Sequence, residues 1–180
     1  MKLIIGLGNP LPDYANTWHN LGTLYVQQAR QILEKIDASL TCHETRGIKI
    51  CIFKNPQLAL AHSVDIYMNH SFKLVNTALK QVRAAKEIFI AHDDISFNKT
   101  TVKVTPKPNK KHKGVLSILQ HRPFPKPYSV YYIRLGIPYT QANPKRVPLR
   151  DFILQKISPE LLVEYKLLFT EHFKSNFVKK

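Results

Sequence analysis

Between Ile95 and Arg150 the chain contains no aspartate and no glutamate. The same stretch carries twelve of the 27 basic residues: Lys99, Lys103, Lys107, Lys110, Lys111, Lys113, Arg122, Lys126, Arg134, Lys145, Arg146 and Arg150. Elsewhere fifteen basic residues stand against twelve acidic ones, so the formal charge of +15 is localised. A one-sided basic block points to a polyanion partner. Nucleic acid fits better than an acidic membrane, because the block holds no evident amphipathic basic helix. Cysteine is scarce. Cys42 and Cys51, nine positions apart, match neither a redox pair nor a zinc spacing, and are expected to be ordinary thiols in a reducing compartment. Long apolar runs are absent, as are a secretory h-region and an Arg/Ser-rich leader, since strand-like sequence follows Met1 at once. A soluble intracellular protein is expected. Gly6-x-Gly8 lacks the third glycine of the dinucleotide fingerprint, Leu11 standing in its place, which argues against nucleotide binding of that kind.

The 180 residues are most simply one domain over positions 1–180, with basic loops at about 105–113 and 138–148. Residues 2–7 read as a buried strand stopped by Gly8 and Pro10. Positions 17–36 keep an apolar stripe at helical spacing through Leu21, Leu24 or Tyr25, Ala29, Ile32, Leu33 and Ile36. Strands are expected at 48–53 (ended by Asn55-Pro56), 87–91, 100–104 and 128–137, with a strand end at 63–68. Helices are expected at 71–82 and 112–121, and from the Ser158-Pro159-Glu160 start towards Phe173. The alternation predicts a single-domain, three-layer α/β/α fold around a central mixed sheet, the basic loops lying on one sheet edge.

In open α/β sheets, ligands bind beyond the carboxyl ends of the strands. Asn9, His19, Asn69 and Asp93 each follow or flank a strand and are expected to meet at such a mouth. A histidine takes a proton from water when its other ring nitrogen is held. A carboxylate such as Asp93 supplies that hold and stabilises the imidazolium. Two asparagines orient the water and donate to the oxygen that becomes negative. His43, His62, His70, His121 and His172 read as surface or packing residues, and His92 as a support for Asp93. Tyr131 and Tyr132 are either base-stacking or ordinary strand residues.

Five segments in order, Lys2-Leu3-Ile4-Ile5-Gly6-Leu7-Gly8-Asn9-Pro10, Tyr14-Ala15-Asn16-Thr17-Trp18-His19-Asn20-Leu21-Gly22, Tyr67-Met68-Asn69-His70-Ser71, Ala91-His92-Asp93-Asp94 and Ile133-Arg134-Leu135-Gly136-Ile137, give a chain that resembles the bacterial-type peptidyl-tRNA hydrolase family. The resemblance implies a compact, usually monomeric α/β enzyme, free of metal and cofactor, that hydrolyses the ester between a peptide and the 3′ end of tRNA. Carried over by position, His19 is the general base, Asp93 its orienting partner, and Asn9 and Asn69 hold peptide and water. Met68, Asn20, Tyr14 and Lys113 would contact substrate. Lys103 and Arg134 would grip the acceptor-end phosphate, while Lys107, Lys110 and Lys111, which belong to the basic block, are expected as further tRNA contacts.

The departures are local. A glycine-rich family loop is replaced by Thr105-Pro106-Lys107-Pro108-Asn109-Lys110-Lys111-His112-Lys113-Gly114, stiffer and more cationic. His112 and Gly114 match the family loop, and Lys113 replaces its asparagine. Leu11 and Phe72 replace glycines and Trp18 an arginine, each expected to add bulk near the mouth. Two functions follow: an active peptidyl-tRNA hydrolase with an altered lid, or a catalytically weak RNA-binding relative associated with the ribosome or rRNA. A hydrolase of other substrates would leave the basic block unexplained. Either a mitochondrial matrix or a bacterial-type cytoplasm suits the composition.

Overall fold

The computed structural model describes residues 1–36, 40–54, 56–124 and 128–178. Asn55 and Lys126, named above, lie outside them. A seven-stranded mixed sheet runs in the order β2-β3-β4-β1-β5-β7-β6, its strands being β1 (Lys2–Gly6), β2 (Thr41–Thr45), β3 (Ile48–Phe53), β4 (Leu58–Ser63), β5 (Glu87–Asp94), β6 (Thr101–Thr105) and β7 (Ser129–Gly136). The four central strands β4, β1, β5 and β7 are parallel neighbours, and β2, β3 and β6 add antiparallel edges.

Alternation along β1 builds two cores. Ile4 faces one, with α1 (Leu21–Glu34) and α6 (Pro159–Phe177). Leu3 and Ile5 face the other, with α2 (Ser71–Gln81) and α3 (Lys113–His121). This is the three-layer α/β/α arrangement that the alternation predicts. Two single-turn helices, α4 (Tyr139–Ala142) and α5 (Leu149–Phe152), lie between β7 and α6. In α6, Ser158 caps the first turn by accepting from Leu161 N, and Tyr165, Phe169, Phe173 and Phe177, each four residues on from the last, turn inward. Ile36, assigned above to the stripe of the first helix, lies beyond its end and is exposed.

Gly22 shows why the opening segments need glycine. A Cβ there would lie 2.6 Å from Leu7 O and 2.7 Å from Leu7 N, and closer still to Ala91 O. The first turn of α1 therefore rests on the backbone of β1 and β5. Leu7 N donates to Ala91 O (2.9 Å) and Thr23 N to Leu7 O (3.1 Å), fixing the same junction.

Three expectations need correction. Cys42 and Cys51 are bonded to each other as a disulfide. The antiparallel register of β2 and β3, turned at Arg46-Gly47, sets the two residues directly opposite, and the cysteine argument for a reducing compartment falls with the free thiols. The strand end expected over 63–68 reaches only Ser63, the last residue of β4 (Leu58–Ser63), and residues 64–67 lead into a 3-10 turn, Met68–His70. β5 also runs three residues further than expected, so His92, Asp93 and Asp94 belong to the strand and pair with Arg134, Leu135 and Gly136 of β7.

Candidate active site

Asn9 follows β1, and Asp93 stands near the end of β5, its parallel neighbour. Both lie at the carboxyl end of the sheet. His19 sits in a 3-10 turn, Trp18–Asn20, that leads into α1. Its backbone is pinned by the segment beyond α5: His19 N donates to Ile153 O (2.9 Å) and Trp18 N to Gln155 O (3.3 Å). Lys156 Nζ ties down the preceding loop through Asp13 O (2.9 Å) and Ala15 O (2.6 Å).

The side chains of His19 and Asp93 are buried, with Nδ1 2.9 Å from Oδ1. A second imidazole reaches the same oxygen, His112 Nε2 at 2.9 Å. His112 is also the N-cap of α3, its Nδ1 accepting from Val115 N (3.3 Å). That bond assigns the proton of His112 to Nε2, which donates to Asp93. Burial by itself would raise the Asp93 carboxyl. The electrostatic attraction of the His19 and His112 rings and the hydrogen bonds from both outweigh burial and hold it well below the ordinary carboxylate range. An ionised Asp93 only accepts, so Nδ1 of His19 carries the proton and Nε2 keeps the lone pair.

Ligand atoms of His19, Asp93 and His112 lie within 4.8 Å of one another, a spacing that a metal ion could bridge. Here two N–H donors and one carboxylate oxygen satisfy each other, which is the chemistry of a held general base.

The asparagines divide into two roles. Asn20, 2% exposed, clamps the backbone of Asn9: its Oδ1 accepts from Asn9 N (2.8 Å) and its Nδ2 donates to Asn9 O (3.0 Å). Asn9 in turn accepts at Oδ1 from Met68 N (2.9 Å), which leaves its Nδ2 as a directed donor. Asn69 is exposed beside Met68 and makes no side-chain hydrogen bond among the described residues. Tyr14 meets Tyr67 edge-on, ring centres 6.3 Å apart. Gly114 lets α3 close onto this turn, since a Cβ there would come within 2.9 Å of Ser71 Oγ and 3.0 Å of Leu7 Cδ1. Lys113, the first residue of α3, points to solvent next to His112.

Arg134 of β7 pairs across the sheet with Lys103 of β6. Its Nε donates to Asp94 Oδ2, its Nη2 donates to Ser96 Oγ (3.1 Å), and the guanidinium lies 4.9 Å over the ring of Phe97. Asp94 is held below its ordinary range: burial opposes this and is outweighed by the bonds from Arg134 and Ser96. The loop between β6 and α3 holds turns closed by Lys107 N to Thr105 Oγ1 (3.1 Å) and Lys111 N to Asn109 Oδ1 (3.1 Å), and it exposes Lys107, Lys110 and Lys111.

Trp18 corrects the expected bulk at the mouth. It is 3% exposed and stacks on Phe152 within the α1/α6 core, ring centres 5.3 Å apart. Phe72 instead stacks on His121 at 3.9 Å. His112 is the residue whose role the sequence reading left open. Its signal was present in the match of His112 and Gly114 ahead of a helix.

Comparison with known proteins gives the family and the fold. The model of the family described as peptidyl-tRNA hydrolase matches residues 3–175. The chain is similar to the peptidyl-tRNA hydrolase of Anaeromyxobacter dehalogenans (strain 2CP-C), 28% identical over 160 residues, 88% of this chain and 79% of that one. It is similar to that of Mycoplasma mobile, 30% identical over 158 residues, 87% and 82% of the two chains. The crystal structure of peptidyl-tRNA hydrolase from Acinetobacter baumannii superposes with a TM-score of 0.67 at 23% identity, over 97% of this chain and 91% of that one, a likeness of fold. Among the described residues no helix is long and apolar enough to cross a membrane.

Proposed function

The chain belongs to the peptidyl-tRNA hydrolase family, and from that premise we propose that it hydrolyses the ester between peptide and tRNA with His19 as the general base. One observation carries the assignment: a buried His19–Asp93 pair at 2.9 Å made through Nδ1, with no bond to Nε2 of His19 among the described residues. Nε2 takes a proton from water as the oxygen attacks the ester carbonyl. The imidazolium, stabilised by Asp93, then returns that proton to the departing 3′ oxygen of the ribose. The products are a peptide carboxylate and free tRNA.

Asn9 Nδ2 and the Asn69 amide are the donors for substrate and for the oxygen that gains charge. Asn20 acts one step back, by fixing Asn9. Met68 and Tyr14 line the peptide side, and Lys113 stands at its rim. Lys103 and Arg134 hold the acceptor-end phosphate, with Lys107, Lys110 and Lys111 adding backbone contacts. An exposed, locally bonded lysine loop replaces close backbone approach with charge, so binding of tRNA leans on electrostatics and weakens with salt.

The test is single-turnover release of a blocked aminoacyl group from tRNA. His19→Ala is expected to lose about 10²–10⁴ in rate, the usual worth of a general base, while still binding tRNA. Undiminished release by the variant would overturn the assignment.

A further inference from the structure

The segment after β7 folds into a closed turn. Asn143, 7% exposed, bonds Val147 at both ends of its amide: Nδ2 donates to Val147 O (2.9 Å) and Oδ1 accepts from Val147 N (2.8 Å). Arg146 N donates to Asn143 O (3.0 Å), and Tyr139 OH donates to Val147 O (3.4 Å). Inside this ring Arg146 takes a left-handed φ of +51°, a conformation uncommon for a residue with a side chain. The result exposes Lys145 and Arg146 together at the tip. Neither has a carboxylate partner among the described residues, whereas nearby Arg150 is paired with Asp151 at 3.5 Å.

The turn is docked onto the element that holds Arg134. Thr140 N donates to Asn98 Oδ1 (2.8 Å), and Asn98 ends the 3-10 turn Ile95–Phe97, which supplies Ser96 and Phe97 to the Arg134 guanidinium. Two sets of cations therefore share one rigid support. Their separation is set before any ligand arrives, which spares the ordering entropy that a floppy loop would lose on binding.

We propose that Lys145 and Arg146 form a second backbone-phosphate contact for the RNA of the substrate, spaced from the Arg134–Lys103 grip by the Asn143-closed turn. This rests on the peptidyl-tRNA reading above. Phosphate of RNA fits the tip better than a membrane surface does. The tip offers charge, its flanking Val147 is turned inward, and it carries no large apolar side chain to enter a bilayer.

The experiment measures binding of deacylated tRNA to the full chain across a range of KCl concentrations. It compares wild type, the double variant Lys145→Glu/Arg146→Glu, and Asn143→Ala. The double variant should bind about tenfold more weakly or worse. Its plot of log affinity against log salt should be shallower by about 1–2, the signature of lost phosphate contacts. KM for blocked aminoacyl-tRNA should rise in step, and the melting temperature should stay at the wild-type value. Asn143→Ala keeps both charges and should weaken binding less. An unchanged salt slope would overturn the proposal. So would retained tRNA binding with loss of binding to vesicles of anionic phospholipid. Absence of turnover in the wild type would overturn the hydrolase reading instead, and the salt slope would still decide the phosphate contact.

Discussion

Nε2 of His112 lies 2.9 Å from Oδ1 of Asp93, the same distance at which His19 approaches that atom. The second imidazole also lies against the ring of His19, centres 5.1 Å apart, but its hydrogen bond goes to the carboxylate. Replacing His112 with Ala removes a hydrogen bond to a buried charge, worth about 1.5–3 kcal/mol. Roughly tenfold to a hundredfold slower turnover is expected. If His112 acts by positioning Asp93 for His19, the His19→Ala/His112→Ala double variant should be no slower than His19→Ala alone. Single-turnover rates of the four proteins check this. Additive losses would mean that His112 touches the substrate independently.

Gly22 predicts a stability effect without any change at the reacting groups. An alanine Cβ would press on backbone atoms of Leu7 and Ala91, which cannot swing aside as a side-chain end does. Overpacking of this kind destabilises by about 1–3 kcal/mol. At about 2–4 °C per kcal/mol for a chain of this size, Gly22→Ala should melt several degrees below wild type. Equal melting temperatures would show that the junction of α1 with β1 and β5 has room for a Cβ at position 22.

What the sequence made legible follows from how local each signal is. Asn9, His19 and Asp93 could be brought together on paper because strand ends converge in this fold, and each residue flanks a strand end. The body of β4 is hard to read because Leu-Ala-Leu-Ala-His-Ser has little β-branching; the strand exists because neighbours bury it on both faces. The cysteine pair depends on a hairpin register that a nine-residue spacing does not reveal. Trp18 could be placed only with Phe152, far along the chain, as its stacking partner. His112 required the loop after β6 to fold back over β5, a long-range event with no periodic trace.

His92 gives the chain a specific response to acid. It is fully buried, its Nδ1 bonds Asp93 O (2.9 Å), and its Nε2 has no partner among the described residues. Burial, with His112 alongside adding to it, pushes its pKa down from 6.5 to about 3. The folded state keeps the ring neutral while the unfolded chain takes up a proton below about pH 6.5. Between those two values the unfolded state binds more protons, so stability falls as pH falls, by at most about 1.4 kcal/mol per pH unit for this one group. His62 and His172, also lowered chiefly by burial, act in the same direction. Substituting His92 with Leu removes one titrating group and leaves the other two. Melting temperatures measured from pH 4 to pH 7 should therefore fall less steeply towards acid in His92→Leu than in wild type. Identical slopes would mean that the ring at position 92 is already protonated, or exposed, in the folded protein.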